Sequence, residues 1–249
     1  MSEGAAGAPV GCRGRRARPV ARHAGVVIPV HNEVELLPRC LRAVRAAANA
    51  AGVDVHVVVV LDGCTDGSEA AVMATRPLGQ TTDVIHIDET NVGAARAAGC
   101  DLLLARYGVP GWWLATTDAD SAVGPLWLRK QLRYARSGYD AVAGTVTLDD
   151  WTSFGDEAQH AYRLRYSQRW GHRHVHGANL GFRADAYVQA GGFAALPTDE
   201  DVALVAALTA TGRRIAWADD VPVVTSSRRV GRAPGGMSRL LTALPAAQL

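Results

Sequence analysis

Val53-Asp54-Val55-His56-Val57-Val58-Val59-Val60-Leu61 runs directly into Asp62-Gly63-Cys64-Thr65-Asp66-Gly67-Ser68. The first nine residues are β-branched almost throughout. Such a run fits a strand buried on both faces of a parallel sheet rather than the alternating pattern of a half-exposed one. The Asp- and Gly-rich stretch that follows reads as a turn capping a helix over 66–75. Outward from this unit the alternation repeats. An apolar strand over 25–30 carries Pro29, and a helix over 33–51 has Leu37, Leu41 and Val44 at helical spacing. A strand over 83–87, a helix over 92–106 and a strand over 111–117 complete a β-α-β-α-β-α-β order. That order predicts an α/β fold with a doubly wound, mostly parallel sheet and right-handed crossovers. Folds of this class bind ligands beyond the carboxyl ends of their strands.

The second half is less regular. A helix over 125–137 leads to a strand over 142–148, then a polar aromatic stretch over 156–170. A helix over 200–211 and short strands over 214–217 and 221–225 follow. The expected organisation is a basic tail over 1–24, disordered or else a transit peptide or an anionic-surface contact, a single domain over 25–225 whose second half is the less regular, and a mobile tail over 226–249. No repeat at solenoid periods is present.

The 249 residues carry a formal net charge of +2, which favours no class of partner, and no nucleic-acid partner is expected. No apolar run approaches the roughly 20 residues that span a bilayer, so at most peripheral membrane contact is expected. The first 24 residues lack the apolar core of a secretory signal, and a cytoplasmic location is the expectation. Cys12, Cys40, Cys64 and Cys100 match no zinc spacing and are expected as reduced thiols.

Polar residues cluster where the strands end: Pro29-Val30-His31-Asn32-Glu33, then Asp62 to Ser68, then Thr116-Thr117-Asp118-Ala119-Asp120-Ser121. Three acidic loops therefore meet on one edge of one sheet. Asp118 and Asp120, two residues apart after an apolar strand, can face one cation. Mg²⁺ and Mn²⁺ take oxygen ligands, commonly one or two carboxylates with substrate phosphates. The bland alternative is a solvated turn before Pro125. Asp62 could accept a hydrogen bond from a nucleobase or cap the next helix, and Glu33 could be a first-turn residue favouring the helix dipole. No Gly-x-Gly-x-x-Gly follows the first strand and there is no P-loop, which removes the main signals for a dinucleotide-binding domain or a P-loop nucleotidase.

Val26 to Glu33, Leu61 to Ser68, Asn91-Val92-Gly93, Asp118-Ala119-Asp120, His176-Gly177-Ala178-Asn179 with Gly191-Gly192-Phe193, and Glu200-Asp201 followed by Leu204 occur in this order. Together they resemble family 2 inverting glycosyltransferases of the GT-A fold, over about residues 24 to 225. The resemblance implies hexosyl transfer from a nucleotide diphosphate sugar, a UDP-sugar first, to an acceptor hydroxyl on a saccharide, lipid or small metabolite. It implies Mn²⁺ or Mg²⁺ at Asp120 and Asp118, with Pro29, Val30, Glu33, Asp62, Arg96 and Asp118 around the nucleotide. His176, Gly177, Asn179 and Glu200 would line the acceptor side, and Asp201 would be the general base. His31 stands where the family often has Tyr, and Ala97 where Asn is frequent. Arg96 is expected either to contact the nucleotide or to face solvent. One Arg of Ser226-Ser227-Arg228-Arg229 or Arg232 could close over the diphosphate, with a solvated tail as the alternative. His172, His174 and His176 alternate and would share one face of a strand, which leaves a metal site or a polar acceptor loop open. A sugar-nucleotide pyrophosphorylase or a non-catalytic nucleotide-sugar-binding protein on the same fold are the rival functions.

Overall fold

The computed structural model describes residues 21–75, 81–152, 154, 156–157, 159–160, 162, 166 and 169–228. The expected basic tail up to residue 20, Arg229, Arg232 and the rest of the C-terminal tail lie outside them, as does part of the aromatic stretch over 156–170.

The elements are β1 (His23–Val30), α1 (Leu37–Asn49), β2 (Asp54–Asp62), α2 (Ser68–Thr75), β3 (Thr81–Ile87), α3 (Val92–Tyr107), β4 (Trp112–Thr116), β5 (Ser121–Val123), α4 (Trp127–Arg136) and β6 (Ala141–Leu148). A single 3-10 turn at Gly177–Asn179 leads into β7 (Leu180–Arg183), α5 (Ala184–Gln189), α6 (Glu200–Ala210) and β8 (Ile215–Thr225). One sheet runs in the order β3-β2-β1-β4-β7-β6-β8-β5. The β3-β2-β1-β4 half is parallel. In the other half β7 runs antiparallel to both β4 and β6, β8 is parallel to β6, and β5 antiparallel to β8.

The valine run behaves as its composition demands. Val57, Val59 and Leu61 pack with Val26 and Ile28 into a core with Leu37, Cys40, Leu41 and Val44 of α1. Val58 and Val60 join Val27 in a second core with Ala95, Cys100 and Leu103 of α3. Alternate side chains feed opposite faces, and each face has its own helix.

Several boundaries depart from the sequence reading for local reasons. The first strand begins at His23, inside the expected tail. The first helix begins at Leu37, not Glu33, because Asn32 takes a left-handed φ of 55° and Pro38 fits only the first turn. The two short strands expected after residue 213 are one strand, β8. Its register against β6 jumps from Gly144–Ala218 to Val146–Val223, so residues 219–222 bulge and Pro222 sits at the irregularity. β7 is four residues long with Gly181 in it, β5 is three, and α5 is six. None is long enough to show a period.

α3 rests on β1 and β2 through Gly99, where a Cβ would overlap Val27 Cγ1 and stand 3.1 Å from Val60 Cγ2. Both neighbours are β-branched and held in buried strands, so neither can rotate away cheaply. We expect Gly99→Ala to destabilise the domain by about 1–3 kcal/mol, read as a lower urea midpoint at unchanged m-value. An unchanged midpoint would show that α3 does not bear on β1 at this point.

Candidate active site

The order β3-β2-β1-β4 reverses direction at β1, so the carboxyl ends of β1 and β4 mark a topological switch point. The β1–β4 ladder stops at Val27–Thr116, while β1 continues along β2 to Val30–Leu61. Pro29, with no N–H to give, lies beyond the last β4 partner. The cleft that opens there receives the loops after β1, β2, β3 and β4.

Those loops are laced together by side chains. Asn32 Oδ1 accepts from the backbone N–H of Thr65 (2.7 Å) and Asp66 (3.2 Å), and Ser68 Oγ accepts from Glu33 N–H at 2.8 Å. Asp66 accepts from Val34 N–H at 3.0 Å and from Ser68 N–H at 2.9 Å, the latter at the start of α2. Asp62 caps no helix. Its carboxylate, 3% exposed, accepts from the N–H groups of Glu89 (2.8 Å), Thr90 (2.8 Å) and Asn91 (2.7 Å), which fixes the loop before α3. Val30 turns its side chain into the core and gives its carbonyl to Cys64 Sγ at 3.3 Å.

Asp118 and Asp120 follow β4 into the cleft. Cys40 Sγ donates to the Asp118 carbonyl at 3.2 Å from below. Asp118 is 37% exposed at its side chain and pairs with Arg96. Burial pushes its carboxyl above the ordinary range; Arg96 pulls it back, while Asp120 and Asp201 push further. Asp120 Oδ1 accepts from Ser121 Oγ at 3.1 Å and Thr225 Oγ1 at 3.4 Å, and Oδ2 from Arg228 Nη2 at 3.0 Å. Burial raises its pKa too, with Arg228 opposing and Glu33 reinforcing. Arg228 also grips Glu33 with both Nη atoms, Nη1 to Oε2 at 2.9 Å. Of the tail expected to be mobile from 226, the first three residues are therefore tied down, Ser227 N–H to Asp149 at 3.0 Å among them.

The three consecutive acids take three environments. Asp199 is exposed in a left-handed conformation with φ 61°. Glu200 is 4% exposed and paired with Arg96. Asp201 is half-buried in the first turn of α6, where its Oδ2 accepts from Gly177 N–H at 2.6 Å and its Oδ1 from Val202 N–H at 2.8 Å. Of the three, Asp201 is the one whose carboxylate ties the first turn of α6 to the 3-10 turn at Gly177.

Three expected roles change. Arg96 does not face solvent: it is 3% exposed and bridges Asp118 and Glu200. Glu200, expected on the acceptor side, is closed behind that bridge. Asn179 is fully buried; it donates to the carbonyls of Thr145 (2.7 Å) and Val221 (2.6 Å) and accepts from Trp127 Nε1 at 2.9 Å. It holds the β6–β8 junction rather than an acceptor. His176 pairs with Tyr166 Oη at 2.8 Å, and burial pushes its pKa down to about 4, so its imidazole is neutral at pH 7. His172, His174 and His176 stack in file rather than converge, with centroids 5.6 and 6.3 Å apart. The sequence pattern does not single out Thr116, Tyr166 or Thr225; a pair of hydroxyls closing an apolar strand is the one signal for the first. Among the described residues no group of three or more His, Cys, Asp or Glu is disposed to hold a metal ion. Asp118 and Asp120 supply two hard oxygen donors, and Arg228 shows that positive charge is accommodated at Asp120.

A family model described as glycosyl transferase family 2 matches residues 25–191. The chain is 33% identical over 122 residues to an undecaprenyl-phosphate 4-deoxy-4-formamido-L-arabinose transferase of Enterobacter sp. (strain 638), covering 49% of this chain but 36% of that protein's length. By fold it is similar to S. aureus TarS, with TM-score 0.65 and 14% identity over 82% of this chain and 36% of that one. It is also similar to the mannosyltransferase PcManGT from Pyrobaculum calidifontis, solved with GDP-Man and Mn²⁺, with TM-score 0.61 and 22% identity over 87% of this chain and 59% of that one. A GT-A sheet, a family match spanning the cleft loops and a transferase relative agree: the chain belongs to glycosyltransferase family 2.

Proposed function

We propose that the chain transfers a sugar from a nucleotide diphosphate sugar to an acceptor hydroxyl with inversion, using a divalent cation at Asp118-Ala119-Asp120 and Asp201 as general base. The observation that carries this reading is the meeting of Asp118, Asp120 and Asp201 in one cleft at the switch point of the sheet. The nucleoside lies against the loops after β1 and β2, near Pro29, His31, Glu33 and the Asp62-anchored turn. Support for the donor class comes from relatives of the same fold, one solved with UDP and one with GDP-Man and Mn²⁺. The acceptor side is formed by His176, Gly177 and Asp201.

In this mechanism Asp201 takes the proton from the acceptor hydroxyl, whose oxygen attacks the anomeric carbon as the carbon–oxygen bond to the diphosphate breaks on the opposite face. Asp201 must lie within hydrogen-bond reach of that hydroxyl. When bound, Mn²⁺ or Mg²⁺ neutralises the charge developing on the leaving diphosphate. Asp118 and Asp120 would hold it. A cation there would offset the burial and the repulsion from neighbouring carboxylates that raise both carboxyls, and the guanidinium of Arg228 already places positive charge between Glu33 and Asp120.

A second reading of the acceptor has its own support. The Enterobacter relative is named for an undecaprenyl phosphate. A phosphate oxygen is already ionised near neutral pH and needs no base, so the two acceptor classes make opposite demands on Asp201.

Asp120→Asn is expected to remain folded by circular dichroism and to lose Mn²⁺-dependent UDP binding in calorimetry. Binding equal to wild type would remove the cation from this site. Asp201→Asn is expected to keep donor affinity and lose about 10²–10⁴-fold in turnover with a hydroxyl acceptor. Full turnover with a lipid phosphate would select the second acceptor class. Arg228→Gln is expected to tighten binding of Mn²⁺ alone, followed by electron paramagnetic resonance, because a competing charge leaves Asp120. Weaker Mn²⁺ binding in that variant would make Arg228 a support of the cation site instead of its rival.

A further inference from the structure

Arg96 closes a ring of contacts that runs through both sides of the cleft. Its Nη2 pairs with Asp118, after β4, and its Nη1 with Glu200, at the start of α6. The next residue, Asp201, accepts from Gly177 N–H at 2.6 Å, and the Gly177 carbonyl accepts from Thr116 Oγ1 at 2.6 Å. Thr116 ends β4, two residues before Asp118. The ring therefore passes from Asp118 through Arg96, Glu200, Asp201, Gly177 and Thr116 back to Asp118, and it draws on α3, α6, β4 and the 3-10 turn.

Two features show that the ring is built tightly. Arg96 is 3% and Glu200 4% exposed, so neither charge has water as an alternative partner. Gly177 lies directly against the guanidinium, and a Cβ there would overlap Arg96 Cζ and both Nη atoms. The far end of an Arg side chain ordinarily yields to such a contact, but this one is pinned by two carboxylates. Only the planar fork of Arg spans both; a Lys ammonium presents a single point charge.

We propose that Arg96 is a positioning residue that fixes the spacing between Asp118, on the donor side, and Asp201, on the acceptor side. It acts through Glu200 and Gly177 and not by contact with the reacting atoms. The inference rests on the assignment of Asp201 as base. Its signature is a loss in kcat without a matching loss of donor affinity, since misplacement of a reacting group by about 1 Å costs on the order of 10²-fold.

The test uses Arg96→Lys, Gly177→Ala and the double variant, with UDP-glucose and GDP-mannose as donor probes and water as acceptor. Nucleotide release gives kcat and KM, and UDP or GDP binding is measured by calorimetry. Arg96→Lys and Gly177→Ala are each expected to lower kcat by about 10²-fold, with KM and nucleotide affinity within about threefold of wild type. The double variant is expected to fall no further than the weaker single variant, because both break one ring. A rise in KM with kcat preserved would make Arg96 a donor ligand and overturn the proposal, as would additive losses in the double variant. Should Arg96→Lys fail to fold, Gly177→Ala, which removes no charge, decides alone by the same split in kcat and KM. A wild-type chain that binds and turns over neither donor would overturn the enzymatic reading itself, and this inference with it.

Discussion

Two-sided burial of β2 is the constraint on which the rest of the molecule depends. A run of valines with no solvent-facing register demands a helix on each face, and α1 and α3 are those helices. Once they are in place, the crossovers put β1 beside β2 and β4 beside β1 on the other flank. The chain must then leave every one of these strands at the same edge. The acidic loops share a cleft because the hydrophobic effect has already decided where the strands end, not because the carboxylates attract one another.

The carboxylates in fact repel, and the cleft is organised around keeping them apart. Asp118 and Glu200 share the guanidinium of Arg96, while Glu33 and Asp120 share that of Arg228. Asp62 is satisfied by three backbone amides instead of a cation. Each of these negative groups thus faces a cation, shared between two of them, or a set of backbone dipoles, in the manner required when charge is withdrawn from water. What separates the two arginine sites is permanence. Arg96 is enclosed among α3, α6 and the 3-10 turn, whereas Arg228 approaches from beyond the last strand and is half-buried.

The parallel half of the sheet was legible because its signals are long: runs of valine, helices of 13 and 16 residues, and a turn after each strand. The other half was not. β5, β7 and α5 are too short to display a period, and β8 hides its continuity behind a bulge of four residues. Of the candidate site, Asp118 and Asp120 are readable from position, since they follow an apolar strand at the switch point, whereas Asp201 is picked out of three consecutive acids only by the family resemblance. Glu200 stands between two other acids, Asp199 and Asp201, and Asn179 between Ala178 and Leu180, and only three-dimensional packing reveals that both are interior. Burial of a polar group is a tertiary property, and no local pattern distinguishes an amide that holds three scaffold bonds from one that greets a substrate.

The pairing of Arg228 with Glu33 spans 195 positions of sequence and joins the loop after the first strand to the chain just beyond the last. Among the described residues the last strand ends at Thr225, so a cut there keeps every described strand of the sheet. It would also leave Glu33 and Asp120 facing each other with their shared guanidinium gone. The unit that carries the fold and the unit that carries a balanced cleft consequently end at different residues. A chimera or a truncation series that grafts this domain has to place its junction after Arg228, not at the edge of the last strand.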